Sequence, residues 1–278
     1  MSLSNLDLYY DTVLNLTKSA GQILRENNSN RDKYIEFKTS PTDLVTKTDT
    51  EIENYLISGL SSNFPDHKFI AEESAAKQGE TLLTDAPTWI IDPIDGTMNF
   101  VHSFPHSCIS IALYINKEPA IGIVYNPILE QLFTARSGKG AFLNGKQIRV
   151  SNTTSLSKAL IIIENYGCAP VHQITPEVVE LISSLITGSH STRALGSAAL
   201  DLCMVACGGA DAFYNYGIKI WDIAAGMLIV REAGGLCTDP RGGPLHSTGN
   251  RILAASSQNL VDELSKRLSE TEDKLLNK

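Results

Sequence analysis

Asp92 and Asp95 stand three positions apart after a short apolar run, and this spacing suggests a binding site for a hard cation. The run, residues 89–91 (Trp-Ile-Ile), is typical of a buried strand. Pro93 fixes a backbone dihedral angle between the two acids, so a stiff turn there can direct both carboxylates to one point. Carboxylate oxygens are the ligands that Mg²⁺ prefers in proteins.

Gly96 and Thr97 follow the two aspartates and can complete such a site. A glycine lets a ligand approach the backbone closely. If Gly96 and Thr97 open a helical turn, their N–H groups are placed to receive a phosphate. Oxygen ligands beside an anion-binding turn therefore predict Mg²⁺ chemistry on a phosphate ester.

Further acids lie at predicted strand ends or helix starts: Glu72 and Glu73, Asp222, and Asp49 in the first turns of a predicted helix. Taken alone, each is most simply a solvated charge or a helix cap. Strand-end acids in α/β layers tend to converge on one crevice, however. Gathered carboxylates raise one another's pKa unless a cation joins them, and bound metal ions can activate a water for direct attack on the ester.

Composition and missing motifs disfavour several other function classes. The 278 residues carry a formal charge of −8 without a Lys/Arg cluster, which speaks against a nucleic-acid surface. The sequence has neither a P-loop nor a Gly-x-Ser-x-Gly elbow, so ATP-dependent transfer and a serine nucleophile are disfavoured. Five cysteines without a Cys-x-x-Cys pair are typical of reduced thiols. With no signal peptide or membrane-spanning stretch evident, we expect a cytosolic protein.

Periodicity places these residues in an ordered set of elements. Helices are predicted over residues 3–26, 46–63, 176–186, 197–208, 223–233 and 257–271. Strands are predicted over residues 69–71, 89–91, 108–116, 120–125, 131–135, 160–163, 212–214 and 252–255, with a hairpin over 141–146 that turns at Asn-Gly. Residues 27–44 are expected to form a loop or loose hairpin, and 76–88 a polar loop. The result is a single unit with an α+β half over residues 1–155 and an α/β half over 156–278.

Three separated motifs, in this order, resemble those of the inositol monophosphatase family. They are Glu-Glu-Ser at 72–74, Asp-Pro-Ile-Asp-Gly-Thr at 92–97 and Trp-Asp-Ile-Ala-Ala-Gly at 221–226, and the similarity extends from about Lys38 to Ala255. The resemblance implies a layered α-β-α-β-α sandwich of the sugar-phosphatase type, a mixed α+β and α/β fold. It also implies a homodimer that depends on two to three Mg²⁺ ions per site and is inhibited by lithium.

The resemblance also implies a role for individual residues. Glu72, Asp92 and the backbone carbonyl of Ile94 would hold the first ion, Asp92, Asp95 and Asp222 the second, and Glu72 a weaker third. Glu73 and Thr97 would orient and deprotonate the attacking water, with Asp49 supporting Thr97. The implied substrate-binding residues are Lys38, Asp95, Gly96, Thr97, Gly196, Ser197, Ala198, Asn215 and Asp222.

Asn215 departs from the pattern of the animal inositol enzymes, which carry a glutamate at the corresponding position that touches the ring hydroxyls. Asparagine can still donate and accept hydrogen bonds, but it lacks the charge. This difference, like the longer loop over 165–175, bears on substrate preference and not on metal chemistry.

The expected activity is Mg²⁺-dependent hydrolysis of myo-inositol monophosphate to myo-inositol and phosphate by a metal-activated water. One alternative is another phosphate ester, such as fructose 1,6-bisphosphate or adenosine 3′,5′-bisphosphate. A second is a non-catalytic metal-binding or partner-binding protein on the same fold, which the intact set of acids disfavours. A nucleic-acid regulator conflicts with the charge of −8.

Overall fold

The structure is a computed structural model that describes residues 3–30, 33, 35–37, 44–78, 82–164, 175–245 and 250–276. Its first elements are α1 (Leu3–Asn28), β1 (Ile35–Phe37), β2 (Leu44–Thr46), α2 (Lys47–Asn63), β3 (Lys68–Ala71), α3 (Glu72–Gln78), β4 (Thr88–Asp95), α4 (Thr97–Val101), β5 (Cys108–Ile115), β6 (Glu118–Asn126), β7 (Gln131–Arg136), β8 (Ala141–Leu143) and β9 (Lys146–Ile148). The later ones are β10 (Leu160–Ile163), α5 (Pro176–Gly188), β11 (Ser191–Arg193), α6 (Ala198–Ala206), β12 (Ala212–Tyr216), α7 (Ile220–Glu232), β13 (Leu236–Thr238), β14 (Arg251–Ala255) and α8 (Gln258–Leu276).

Strands β3 to β9 form a seven-stranded sheet in sequence order. Only the β3–β4 pair is parallel among them, and the other neighbours form the predicted antiparallel meander. Every residue of β4 is buried, as the apolar run 89–91 predicts. The strand continues through both aspartates to Asp95, which corrects the prediction that it ends before Asp92.

A second, five-stranded sheet has the order β11-β10-β12-β14-β13. Its β10 pairs in parallel with β11 and β12, whereas β14 runs antiparallel to β12 and β13. The small strands β1 and β2 form a separate antiparallel pair, in agreement with the expected loose hairpin.

Three apolar clusters join the helices to the sheets in five layers. The first lies between the two sheets and contains α6 and α7. A second packs α1 and α2 on the other face of the seven-stranded sheet. A third packs α5 and α8 on the outer face of the five-stranded sheet. This order confirms the predicted α-β-α-β-α sandwich.

The remaining differences from the prediction concern short elements and helix ends. Strands β11 and β13 and helix α3 were not predicted, and α3 occupies the start of the expected polar loop over 76–88. Helix α7 begins at Ile220, and not at residue 223 as predicted. Three-residue strands and single-turn extensions carry too little periodicity to be recognised in one sequence. The division at residue 155 stays a prediction.

Within the described ranges, no helix is both long and apolar enough to cross a lipid bilayer.

Gly122, on β6, allows the buried helix α7 to lie directly against the seven-stranded sheet. A Cβ atom built at this position would lie 2.7 Å from the carbonyl oxygen of Ala225. Since that contact is too short for any side chain, a larger residue must push α7 away from the strand. Helix α7 carries Asp222 in its first turn, so this packing also determines where that carboxylate lies.

The substitution Gly122→Ala is expected to lower the free energy of unfolding by about 1–3 kcal/mol, because it overpacks the β6–α7 contact. Denaturant unfolding measures the change. Gly243→Ala is the matched control, since a Cβ at that position meets no atom within 4 Å. If the two variants were equally stable, the close approach of α7 would not be required.

Candidate metal centre

Asp92, Asp95 and Asp222 meet at one point in the structure, although they come from β4 and α7. One carboxylate oxygen from each lies within 4.8 Å of the other two. Asp92 and Asp95 are buried, and Asp222 is half-buried. The prediction that these distant acids converge is therefore confirmed for these three.

A β-bulge places both aspartates of β4 on the same site. Asp92 lies opposite Ser110 and Asp95 opposite Cys108, so three steps along β4 match two along β5. An extra residue in one strand bends it and redirects its side chains. The amide of Ile94 also donates to the Asp92 carboxylate at 3.0 Å, which holds the bulge in shape.

Burial and mutual repulsion both disfavour the charged carboxylates of this cluster, and burial is the larger cause. Burial raises the pKa of Asp92 well above its usual value, and the charges of Glu72, Asp95 and Asp222 raise it further. The pKa of Asp222 is also well above normal, first through burial and then through the charge of Asp95. The carboxylate of Glu72 acts on all three aspartates, so it belongs to the same group.

Asp95 is the most strongly hydrogen-bonded of the three. Its carboxylate accepts a bond from the Ser197 hydroxyl and another, of 2.9 Å, from the amide of Ala199 at the start of α6. Burial raises the pKa of Asp95 to about 6, and these two bonds oppose the rise. Asp95 thus links the bulged strand to α6.

The donor set fits a divalent metal. Three carboxylates gathered at one point, with the charge of Glu72 acting on all of them, supply hard oxygen ligands and excess negative charge, which suits Mg²⁺ or a similar ion. A bound cation also removes the repulsion that raises the pKa values of Asp92 and Asp222. Glu72, Asp92, Asp95 and Asp222 are therefore the residues that could hold it.

Asp49 and Thr97 form a hydrogen-bonded pair beside this cluster. The Thr97 hydroxyl lies 3.3 Å from the Asp49 carboxylate and 2.9 Å from the carbonyl oxygen of Ile94. The other oxygen of Asp49 accepts bonds from the backbone and the hydroxyl of Thr46, which fixes it at the start of α2. Asp49 is fully buried, so these partners take the place of water.

Gly96 forms the predicted helical turn after Asp95. Its φ of 85° lies in the left-handed region that favours glycine. The amide of Phe100 bonds to the Gly96 carbonyl at 3.0 Å, which begins α4 at Thr97. A Cβ on Gly96 would lie 3.0 Å from the carbonyl oxygens of Gly196 and His106, so a side chain there would be crowded as well as strained.

Residues 195–197 are held firmly against this turn. The side-chain amide of Asn99 donates to the carbonyl oxygens of Leu195, at 2.6 Å, and Gly196, at 3.2 Å. From the other side, the Glu164 carboxylate accepts bonds from the amides of the same two residues. Leu195 and Gly196 are therefore fixed, and with Ser197, whose hydroxyl bonds to Asp95, and Ala198 they form an edge over residues 195–198.

Asn215 is 4% exposed, and its side-chain oxygen accepts no hydrogen bond from the described residues. It lies on β12, five positions before Ile220, the first residue of α7. An unpartnered buried oxygen can take a hydroxyl from a ligand. Lys38, the other predicted substrate-binding residue away from the turn, lies outside the described residues.

Three polar neighbours of the site were missed in the sequence. Glu53 accepts a hydrogen bond from the amide of Glu73. Asn99 and Glu164 hold Leu195 and Gly196, at the start of the edge over residues 195–198. Glu164 follows a predicted strand directly, as Asp92 does, and that signal could have identified it. Glu53 lies four positions after Asp49 and hence on the same helix face.

Comparison with known proteins gives one consistent family. The model of the inositol monophosphatase family matches residues 5–273. Inositol monophosphatase 2 of Solanum lycopersicum is 46% identical over 269 residues, with 96% of this chain and 100% of that protein covered. Inositol monophosphatase 1 of Bos taurus is 43% identical, with 93% of each chain covered. The structure of an inositol monophosphatase from Anabaena (Nostoc) sp. PCC 7120 superposes with a TM-score of 0.81 at 34% identity, covering 96% of this chain and 97% of that one.

We expect a divalent cation to stabilise this protein more at neutral than at acidic pH. The raised pKa of Asp95, about 6, means that the folded state binds more protons than the unfolded chain between about pH 4 and about pH 6, where unfolded aspartate has already released its proton. Without a cation, stability contributed by this group therefore falls as the pH rises through that window. Cation binding reverses the loss, and protons compete with it at low pH.

Thermal melts with and without MgCl₂ at about pH 7.5 and about pH 5.5 measure this effect. The increase in Tm caused by Mg²⁺ should be clearly larger at the higher pH, and Asp222→Asn should diminish it. An equal increase at both pH values would contradict the assignment of the cation to these carboxylates.

Proposed function

The chain belongs to the inositol monophosphatase family, and from that premise we propose that it hydrolyses myo-inositol monophosphate to myo-inositol and inorganic phosphate. It is a phosphoric monoester hydrolase by family, and the metal dependence of that family agrees with its acidic cluster. The convergence of Asp92, Asp95 and Asp222 within 4.8 Å is the observation that supports the activity most directly. A pocket that gathers repelling charges without a cation would only destabilise the fold.

We propose Mg²⁺ as the ion, with two to three bound per site. Glu72, Asp92 and the Ile94 carbonyl would hold one, and Asp92, Asp95 and Asp222 another, with Glu72 also contributing to a weaker third. When bound, the ions supply a water of lowered pKa and positive charge for the phosphate and the departing alkoxide. The hard oxygen donors of the cluster support this choice.

Glu73 and Thr97 then provide the proton transfer. Glu73 is buried beside Glu72, so its carboxylate is a suitable base for the attacking water. The Thr97 hydroxyl donates its own proton toward Asp49 or the Ile94 carbonyl. Its lone pairs are thereby left to accept a hydrogen bond from the water and orient it.

The turn at Gly96 and the edge over residues 195–198 would bind the two ends of the substrate. Backbone N–H groups of Gly96 and Thr97 suit the phosphate, because they lie at the start of a helical turn. Gly196, Ser197 and Ala198, with Asp95 and Asp222, would line the sugar-alcohol side. Asn215 offers a neutral hydrogen-bond acceptor to a ring hydroxyl, and Lys38 remains a predicted contact.

Because the curated relatives are named inositol monophosphatases, the bisphosphate substrates are not favoured. A homodimer, inhibition by lithium and a cytosolic location stay predictions.

Purified protein is expected to release phosphate from inositol 1-phosphate when Mg²⁺ is present, and to do so faster than from fructose 1,6-bisphosphate or adenosine 3′,5′-bisphosphate. Phosphate release measured across these three substrates, with and without Mg²⁺ and Li⁺, tests the proposal. Faster turnover of either bisphosphate would show that the preferred substrate is that bisphosphate and not inositol 1-phosphate. No phosphate release from any of the three would refute the activity.

Asp92→Asn and Glu73→Gln should both lower kcat, but for different reasons. Asp92→Asn removes a ligand shared by two ions, so kcat should fall at least about 10³-fold together with Mg²⁺ affinity. Glu73→Gln should lower kcat by a comparable factor. Calorimetry should still detect Mg²⁺ binding by this variant, since only the proton acceptor is removed. Near-normal turnover by Asp92→Asn, or lost metal affinity in Glu73→Gln, would reassign these residues.

A further inference from the structure

Glu53 is a buried glutamate with a specific set of partners at the start of α3. It lies on α2 and is 3% exposed. One of its carboxylate oxygens accepts the backbone N–H of Glu73 at 2.8 Å. The other accepts the hydroxyl of Ser74 at 2.6 Å. Both donors belong to consecutive residues, so the carboxylate holds this short piece of backbone at two points.

The same face of α2 contacts both residues that flank the proposed water. Asp49 and Glu53 are one helical turn apart, so their side chains point the same way. Asp49 contacts the Thr97 hydroxyl, and Glu53 contacts the backbone of Glu73. The buried residues Ile52 and Leu56 anchor α2 in the apolar cluster on the seven-stranded sheet.

Helix α3 needs such support because it is only seven residues long. A helix of that length is marginal in water by itself, since few hydrogen bonds offset the cost of nucleation. A buried carboxylate is in turn costly unless donors satisfy it. The contact between Glu53 and the start of α3 therefore stabilises both partners and fixes the backbone from which Glu73 projects.

We propose that Glu53 is a positioning residue for the reaction, which holds Glu73 at the place where it takes the proton of the attacking water. This inference rests on the proposed function for its catalytic meaning. Its structural content, a backbone held by two hydrogen bonds, does not depend on the substrate. Glu53 acts through Glu73 and contacts neither the substrate nor the cation.

The substitutions Glu53→Gln and Glu53→Ala distinguish the effect of the two hydrogen bonds from the effect of the negative charge. Gln can accept the N–H of Glu73 with its amide oxygen and donate its NH₂ to the Ser74 oxygen, which has free lone pairs. It therefore keeps both bonds without the negative charge, whereas Ala removes both. Glu51→Ala is the matched control, because that glutamate is exposed on the same helix.

The experiment compares Glu53→Gln, Glu53→Ala and Glu51→Ala in two measurements. In steady-state phosphate release from inositol 1-phosphate with Mg²⁺, Glu53→Ala should lower kcat about 10- to 100-fold with KM changed less than about threefold. Glu53→Gln should stay within about fivefold of the unmodified protein, and Glu51→Ala should match it. In hydrogen exchange without substrate, the Glu73 amide should lose protection in Glu53→Ala and keep it in Glu53→Gln.

The outcomes distinguish this inference from the proposed function. If the unmodified protein releases no phosphate, the proposed function fails, and the exchange measurement alone decides the positioning. A Glu53→Gln variant as impaired as Glu53→Ala would show a charge effect and overturn the proposal, as would an unchanged kcat in a folded Glu53→Ala. Should Glu53→Ala not fold, Ser74→Ala replaces it. That variant should lower kcat several-fold, and a normal kcat with normal Glu73 protection would likewise overturn the proposal.

Discussion

Repulsion among the carboxylates of Asp92, Asp95 and Asp222 is the constraint on which the site depends. Their oxygens lie within 4.8 Å of one another in a largely buried pocket. Proximity and burial both raise the pKa of Asp92, because each disfavours the charged form. The fold must therefore hold these groups together against their repulsion. A bound cation relieves that repulsion, and this relief contributes to the free energy of cation binding.

The surrounding layers are arranged to resist this repulsion. Strand β4 is buried along its whole length, and α7 lies between the two sheets against β6, with Gly122 at the contact. Asp95 is tied to α6 by Ser197 and the amide of Ala199. Because each acid is attached to a packed element and not to an exposed loop, none can turn away without disturbing the core.

Sequence patterns predicted the parts of this arrangement that are local. Apolar periodicity predicted the long helices and the strands of both sheets except β11 and β13, and acids at their ends identified Asp92, Asp95 and Asp222. The bulge in β4 was not predictable, because it depends on the register with β5, which no local pattern records. The hydrogen-bond partners of Glu53 and Glu164 were not predictable for a related reason. Their partners lie 20 or more positions away, and only the packed structure shows which backbone amides they accept.

The site also divides its tasks between elements of different kinds. The carboxylates that could hold the cation lie on β4, α7 and the start of α3, whereas the groups proposed to handle the proton are positioned by one face of α2. Cation binding can compensate the cost of gathering the first set, but it gives no direct support to Glu73 or Thr97. Hydrogen bonds from a backbone N–H and from a hydroxyl group to the carboxylates of Glu53 and Asp49 must do that, and these bonds do not use the cation as a partner. Helix α2, whose buried face reaches both residues, is therefore the means by which the water-activating pair keeps its spacing while the charge of the neighbouring pocket changes.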